Sequence, residues 1–177
     1  MNIHIIDIST GTVQNTFKVS GECYGLSYND GLLYIVVNGS SVEIMNLNGK
    51  TTCTLPLTTK DCQYITCARN KLYFTEKNTL FCMDLNGTIL WQFTKDHFRS
   101  LCAVTTDRIG NVYVTCYRSD NILVVSSDGK NHRQLLNKSD GISRPSTIYY
   151  DKLNDFLLVN ISSGTALLFD IKMRHLL

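Results

Sequence analysis

Apolar residues in this chain arrive in short runs that recur at a regular interval. Residues 3–8 (IHIIDI), 42–47 (VEIMNL), 80–85 (LFCMDL) and 122–127 (ILVVSS) are alike, and each leads into a turn signature: Thr10-Gly11, Asn48-Gly49, Asn86-Gly87 and Asp128-Gly129. The four glycines are spaced by 38, 38 and 42 residues. Asn-Gly and Asp-Gly between apolar runs predict hairpins, here with tight two-residue turns, because such turns need positive φ. Residues 167–171 (LLFDI) are a fifth copy of the run.

Three further series keep the same spacing. One precedes each run: residues 32–36, 72–75, 112–115 and 156–159. Another lies earlier still: 25–28, 65–68, 101–104 and 147–150. The last follows each turn: 14–19, 51–57, 89–93 and 132–136. Each unit therefore holds four short strands in about 40 residues, the signature of a propeller blade. Helical solenoids need apolar stripes at 3.6 spacing, which these short β-rich segments lack. A β-sandwich shows regular strands without this self-similarity.

The predicted fold is all-β: a β-propeller of four-stranded antiparallel blades, about four present of a six-bladed ring. The blades divide into a half blade at 1–19, full blades at 22–57, 62–94 and 99–137, and a partial blade at 145–171. A compact four-bladed ring is the alternative. The strand edges at 3–8 and 167–171 would lie bare, and bare apolar edges invite strand addition and self-association.

Composition narrows the function. The chain has 177 residues, a net charge of +2 and 44% hydrophobic residues, values of an ordinary globular domain. A near-balanced charge argues against sequence-blind nucleic-acid binding, which rests on phosphate contacts. No apolar run approaches the roughly 18 residues of a membrane helix, and residues 1–4 do not begin a secretory signal. A cytoplasmic location is expected, and the four glycosylation sequons read as chance matches. The seven cysteines contain no C-x-x-C pair, so they are expected to be reduced and mostly buried, not zinc ligands.

No catalytic or metal-binding residue is expected, and no cofactor. The four histidines are scattered, with no i,i+4 pair. Ser27, Thr66, Cys67, Cys102, Thr105 and Thr147 on the inner strands offer no carboxylate for a calcium ion of the kind that enzymatic propellers hold in their tunnel. Cys67 and Cys102 have no basic neighbour to activate them. Trp91, on an outer strand, is expected to pack.

Binding is expected on the face formed by the inter-blade connections and the turns between second and third strands. Lys60, Lys95, Phe98, Arg99, Tyr117, Arg118 and Arg144 are the candidate residues there. Asp61, Glu76, Asp96, Asp120 and Asp140 are interleaved with them. The face suits a protein or peptide. Single-stranded RNA stacked on Tyr117 or Phe98 is the alternative.

Residues 107–114 (DRIGNVYV), 119–125 (SDNILVV) and 127–130 (SDGK), followed by Leu135-Leu136, resemble an NHL repeat. With Gly141-Ile142-Ser143-Arg144-Pro145 and the run 167–171, the chain is similar to the propeller of tripartite-motif (TRIM-NHL) proteins, in the style of an expanded, mollusc-like invertebrate set. The resemblance implies the target-recognition propeller of a ubiquitin ligase, with protein or RNA as its target. The zinc modules that would supply ligase activity are not in this chain, nor are about two blades, so the resemblance implies no ligase activity of the chain alone. A calcium-dependent hydrolase-type propeller is the remaining alternative.

Overall fold

A computed structural model describes residues 1–171. Its strands form five sheets in chain order, each a simple antiparallel meander. A hairpin of β1 (Asn2–Asp7) and β2 (Thr12–Lys18) comes first. The first blade holds β3 (Cys23–Asn29), β4 (Leu32–Val37), β5 (Ser41–Asn46) and β6 (Thr51–Pro56). The second holds β7 (Ile65–Ala68), β8 (Lys71–Glu76), β9 (Thr79–Asp84) and β10 (Ile89–Thr94). The third holds β11 (Leu101–Thr106), β12 (Val112–Cys116), β13 (Asn121–Val125) and β14 (His132–Leu136). A 3-10 turn at Lys138–Asp140 leads to the fourth, with β15 (Pro145–Asp151), β16 (Phe156–Ile161) and β17 (Ala166–Asp170). The molecule is a β-propeller with four blades, the last showing three strands among the described residues.

The pattern of burial explains the blade. In β12 and β13 every residue is buried, and in β4 and β5 nearly every one. These middle strands are covered on both faces by neighbouring sheets, so their sequences read as continuous apolar runs. Outer strands are more open: β10 alternates, and β6 is exposed except at Leu55. The core is correspondingly divided into four clusters, one per interface. Phe17 and Val19 pack on Leu33, Ile35 and Met45. Tyr34, Val36 and Ile44 meet Leu72, Phe74 and Met83. Tyr73, Leu80 and Cys82 meet Val112, Val114 and Leu123. Tyr113, Ile122 and Val124 meet Ile148, Tyr150 and Leu157.

The hairpin turns differ from the two-residue expectation. The N–H of Asn46 donates to the carbonyl of Lys50 at 3.0 Å, and the N–H of Gly49 to the carbonyl of Asn46 at 3.0 Å. Three residues therefore lie in the loop, with Gly49 last at φ 81°. That is the three-residue hairpin, in which an αL glycine follows a turn. The Asn46 carboxamide oxygen caps it by accepting from the N–H groups of Asn48 and Lys50, both at 3.0 Å. Asp84 does the same for Asn86 and Thr88 at 2.9 and 2.8 Å. In the third blade Ser126 bonds Asn131 instead, so the loop is one residue longer.

Two of the turn glycines, Gly49 and Gly129, also receive the outer strand of the preceding sheet. A Cβ on Gly49 would come within 2.3 Å of the Phe17 ring, and one on Gly129 within 2.6 Å of the Trp91 indole. Trp91 also donates from Nε1 to the carbonyl of Ser127 at 3.2 Å. Its packing role follows from that position.

The outward face of the fourth blade carries a cross-strand apolar row. Tyr149 pairs with Leu158, and Leu158 with Leu168. All three are exposed, Leu168 at 63%. At the other end, Ile6 pairs with Val13 on the hairpin and both are exposed.

Candidate functional site

The inter-blade links and the turns between second and third strands meet at one end of the blades. Main-chain bonds show this directly: the N–H of Leu101 donates to Lys77 at 2.6 Å, and that of Arg118 to Arg99 at 3.1 Å. Two side chains stitch successive blades there. Asn78 Oδ1 accepts from the N–H of Ser100 at 2.8 Å, and Asp120 Oδ1 from the N–H of Arg144 at 2.7 Å. Asp120, Ser100 and Arg144 all have positive φ, at 53°, 53° and 45°. Such a backbone costs on the order of 1 kcal/mol for a residue with a Cβ, and these bonds hold it in place.

Three cavities run side by side along this end. The first, about 190 Å³, includes Asp61, Lys77 and Ser100. The second, about 510 Å³, is lined by Asn78, Asp96, Arg99, Ser100 and Arg118. The third, about 440 Å³, is lined by Arg99, Tyr117, Arg118, Asp120 and Arg144. Neighbouring cavities share lining residues, so they form one groove of mixed charge.

Four of the seven expected residues thus come together: Arg99, Tyr117, Arg118 and Arg144 line a single cavity. Lys60 and Lys95 are exposed but line none of the three. Phe98 corrects the expectation. It is 2% exposed and belongs to the core between the second and third blades. The bond from its N–H to Lys95 at 3.1 Å closes a turn. Its ring sits among Phe93, His97 and His132, with centroids 6.3, 4.2 and 6.2 Å away. A large apolar ring gains more from that burial than from a solvated loop, so Phe98 has no surface to offer a ligand.

Asn78 and Ser100 belong to the groove but carry no charge or aromatic ring that marks them in the sequence. Asx residues at corresponding turn positions in two blades, Asn78 and Asp120, were the available signal. The Asp120 carboxyl is held below its ordinary range, first by the Arg144 N–H and then by Lys138, whose Nζ lies 3.1 Å from Oδ2.

A further cavity, about 590 Å³, lies elsewhere, between the inner strands β3, β7, β11 and β15. Some of its polar groups are already engaged, while the buried Thr106 hydroxyl has no hydrogen-bond partner. Ser27 Oγ accepts from the N–H of Cys67 at 2.9 Å, and Thr105 Oγ1 from that of Tyr150 at 3.3 Å. One carboxylate, Asp151, does reach the lining, contrary to the expectation of none. It closes its own turn by accepting from the N–H groups of Leu153 and Asn154 at 2.8 and 3.3 Å, and from Asn154 Nδ2 at 2.7 Å. Among the described residues no three His, Cys, Asp or Glu side chains group to hold a metal.

All seven cysteines are free. Burial pushes the thiols of Cys62 and Cys116 up to about 12 and that of Cys82 up to about 11. Burial also raises Cys67 and Cys102. A thiol shifted upward is a poor nucleophile at neutral pH. Among the described residues no helix is long and apolar enough to cross a membrane.

No family model and no curated protein matches the sequence, so the tripartite-motif resemblance finds no support there. Solved structures do match in shape. A chain of a nidogen/laminin complex is 18% identical over 96% of this chain and 70% of its own, with a TM-score of 0.77. Virginiamycin B lyase from Staphylococcus aureus is 20% identical, covering 98% of this chain and 60% of its own, with a TM-score of 0.62. The computationally designed Ika4 protein is 11% identical over 88% of this chain and 94% of its own, with a TM-score of 0.64. These neighbours include both a member of a protein complex and an enzyme. Likeness at such identities carries the fold alone, and that fold is the β-propeller.

Proposed function

We propose that the chain is a non-catalytic binding module that engages a protein partner along the groove of the inter-blade end. One observation carries this reading: Arg99, Arg118 and Arg144, exposed and drawn from three separate connections, line one cavity continuous with its neighbour. Functional residues concentrate on loops held by a rigid scaffold, and arginine and tyrosine are enriched where partners bind. The match to a chain of a nidogen/laminin complex accords with protein binding as a use of this fold.

The raised thiols accord with the non-catalytic part. The free cysteines accord with a reducing compartment such as the cytoplasm. The finer reading, target recognition for a tripartite-motif ubiquitin ligase, rests on the NHL-like residues of the third blade. Self-association through the open strand edges at 3–8 and 167–171 is part of the same proposal, and sedimentation would test it.

The test is capture by the immobilised full chain, with bound proteins quantified by mass spectrometry. Replacing Arg99, Arg118 and Arg144 together by Ala is expected to deplete the partner. Replacing Lys50 and Lys130, which sit in the hairpin turns at the opposite end, is expected to leave it. Equal capture by both variants would overturn the proposed face.

A further inference from the structure

We infer that the arginine-lined cavity receives a phosphorylated side chain of the protein partner. The inference rests on the protein-binding reading and names the chemistry that the groove selects.

The cavity sets three arginines against one carboxylate. Asp120 is the only carboxylate in the lining, and it is engaged: Oδ1 accepts from Arg144 N–H at 2.7 Å and Oδ2 faces Lys138 Nζ at 3.1 Å. Among the described residues the Arg118 and Arg144 guanidinium groups make no hydrogen bond and no close ion pair, and Arg144 feels the Asp120 charge only at longer range. Arg99 uses Nε on the carbonyl of Asp96 at 3.2 Å, which leaves its two terminal nitrogens free. Three arginines therefore line one concavity against a single carboxylate, which the Arg144 N–H and Lys138 already bind.

Their backbones are fixed beforehand. Arg118 N–H donates to the Arg99 carbonyl at 3.1 Å, and Arg99 N–H donates to Ser119 Oγ at 3.1 Å. Arg144 N–H is held by Asp120 at 2.7 Å. A ligand meets anchored arginines, which lowers the ordering cost of binding. A phosphate monoester carries about −1.5 to −2 charges at pH 7 and three acceptor oxygens. The planar fork of arginine pairs with such a group through two parallel bonds. Half-buried Tyr117 adds a flat surface for a flanking residue.

The surroundings favour a phosphorylated protein over RNA. An RNA backbone spreads single charges along its length and calls for an extended basic track. Here the positive spot is bounded: Asp96 lines the adjoining cavity, and Asp61 the next one along.

The test uses the whole chain and fluorescence anisotropy with a phosphoserine peptide library of degenerate flanks, its unphosphorylated twin and oligo(U) RNA. The phosphorylated library is expected to bind about tenfold tighter than its twin, and inorganic phosphate to compete. Arg118→Ala and Arg144→Ala are each expected to weaken it by about tenfold, and Arg118→Lys not to restore it. The phosphate competition, run on the unaltered chain, decides the matter even if a variant misfolds. Equal binding of both libraries would overturn the inference, as would oligo(U) binding with a steep salt dependence in place of the phosphopeptide. If the libraries bind equally while partner capture still depends on Lys77 and Asn78, only the phosphate inference fails. If no substitution in the groove alters capture, the protein-binding reading fails with it.

Discussion

The indole of Trp91 lies directly over Gly129, so close that a single added methyl at that glycine would sit 2.6 Å from the ring. Trp91 comes from the outer strand of the second blade and Gly129 from a hairpin of the third. Their contact, with the bond from Trp91 Nε1 to Ser127, joins the rims of two blades. Gly129 is at φ 76°, where an L side chain is strained even without a clash.

Gly129→Ala is expected to destabilise the protein by about 2 kcal/mol or more, from αL strain together with displacement of the indole. Gly31→Ala, also at positive φ but with nothing near the new methyl, should lose only the strain. Denaturant midpoints at unchanged slope would separate the two effects.

Asp120→Ala is expected to loosen the connection between third and fourth blades, because it frees the Arg144 N–H at a residue with φ 45°. Asp120→Asn keeps an acceptor and should lose less. The folded carboxyl titrates below its unfolded value, so its stabilising effect is present above about pH 4 and fades as pH falls through the lowered folded value. Hydrogen exchange at Arg144 as a function of pH would follow this loss, and Asp120→Asn should abolish the dependence.

His132 packs edge-on against Phe93, 4.8 Å between centroids. Burial, then the charges of Lys95 and His97, lowers its protonation below the ordinary value. The folded state thus binds fewer protons than the unfolded one near this value. Stability is complete above about pH 6.5 and declines as pH falls toward the lowered folded value. His132→Gln should flatten that part of the stability profile, read from melting temperatures between neutral and mildly acidic pH.

Native alkylation should mark Cys53 first, since its side chain is exposed, while Cys62, Cys82 and Cys116 react only on unfolding. Peptide mapping after a short iodoacetamide pulse reads the order. Early labelling of Cys116 would contradict the packed third blade.

The blades were legible because their information is local. A run such as residues 122–125, a turn glycine and the next run repeat in every unit, and each feature needs only its neighbours in sequence to be recognised. The hairpin length was not, since Asn46 caps a three-residue loop through its side chain and the dipeptide Asn48-Gly49 looks the same in either turn. Arg99, Arg118 and Arg144 stood out by charge and by their place in the repeat. Phe98 lies among Asp96, His97 and Arg99 in an apparently solvated link, and only Phe93 and His132, from two other strands, reveal that it points inward. Ser100 acts through one hydrogen bond between blades, which leaves no mark in composition or charge, and Asn78 is marked only by the matching place of Asp120 in the next blade.

The four apolar clusters each belong to two successive sheets. Cohesion is therefore a nearest-neighbour quantity, as in a one-dimensional array. A chain held this way need not melt as a unit. Its terminal sheets, with one interface each, open before the central ones, and a defect in the middle divides the array into two shorter ones. The groove crosses this array at the second, third and fourth blades. An occupant there would act as a splint, raising the cooperativity of blades that otherwise answer only to the sheet beside them.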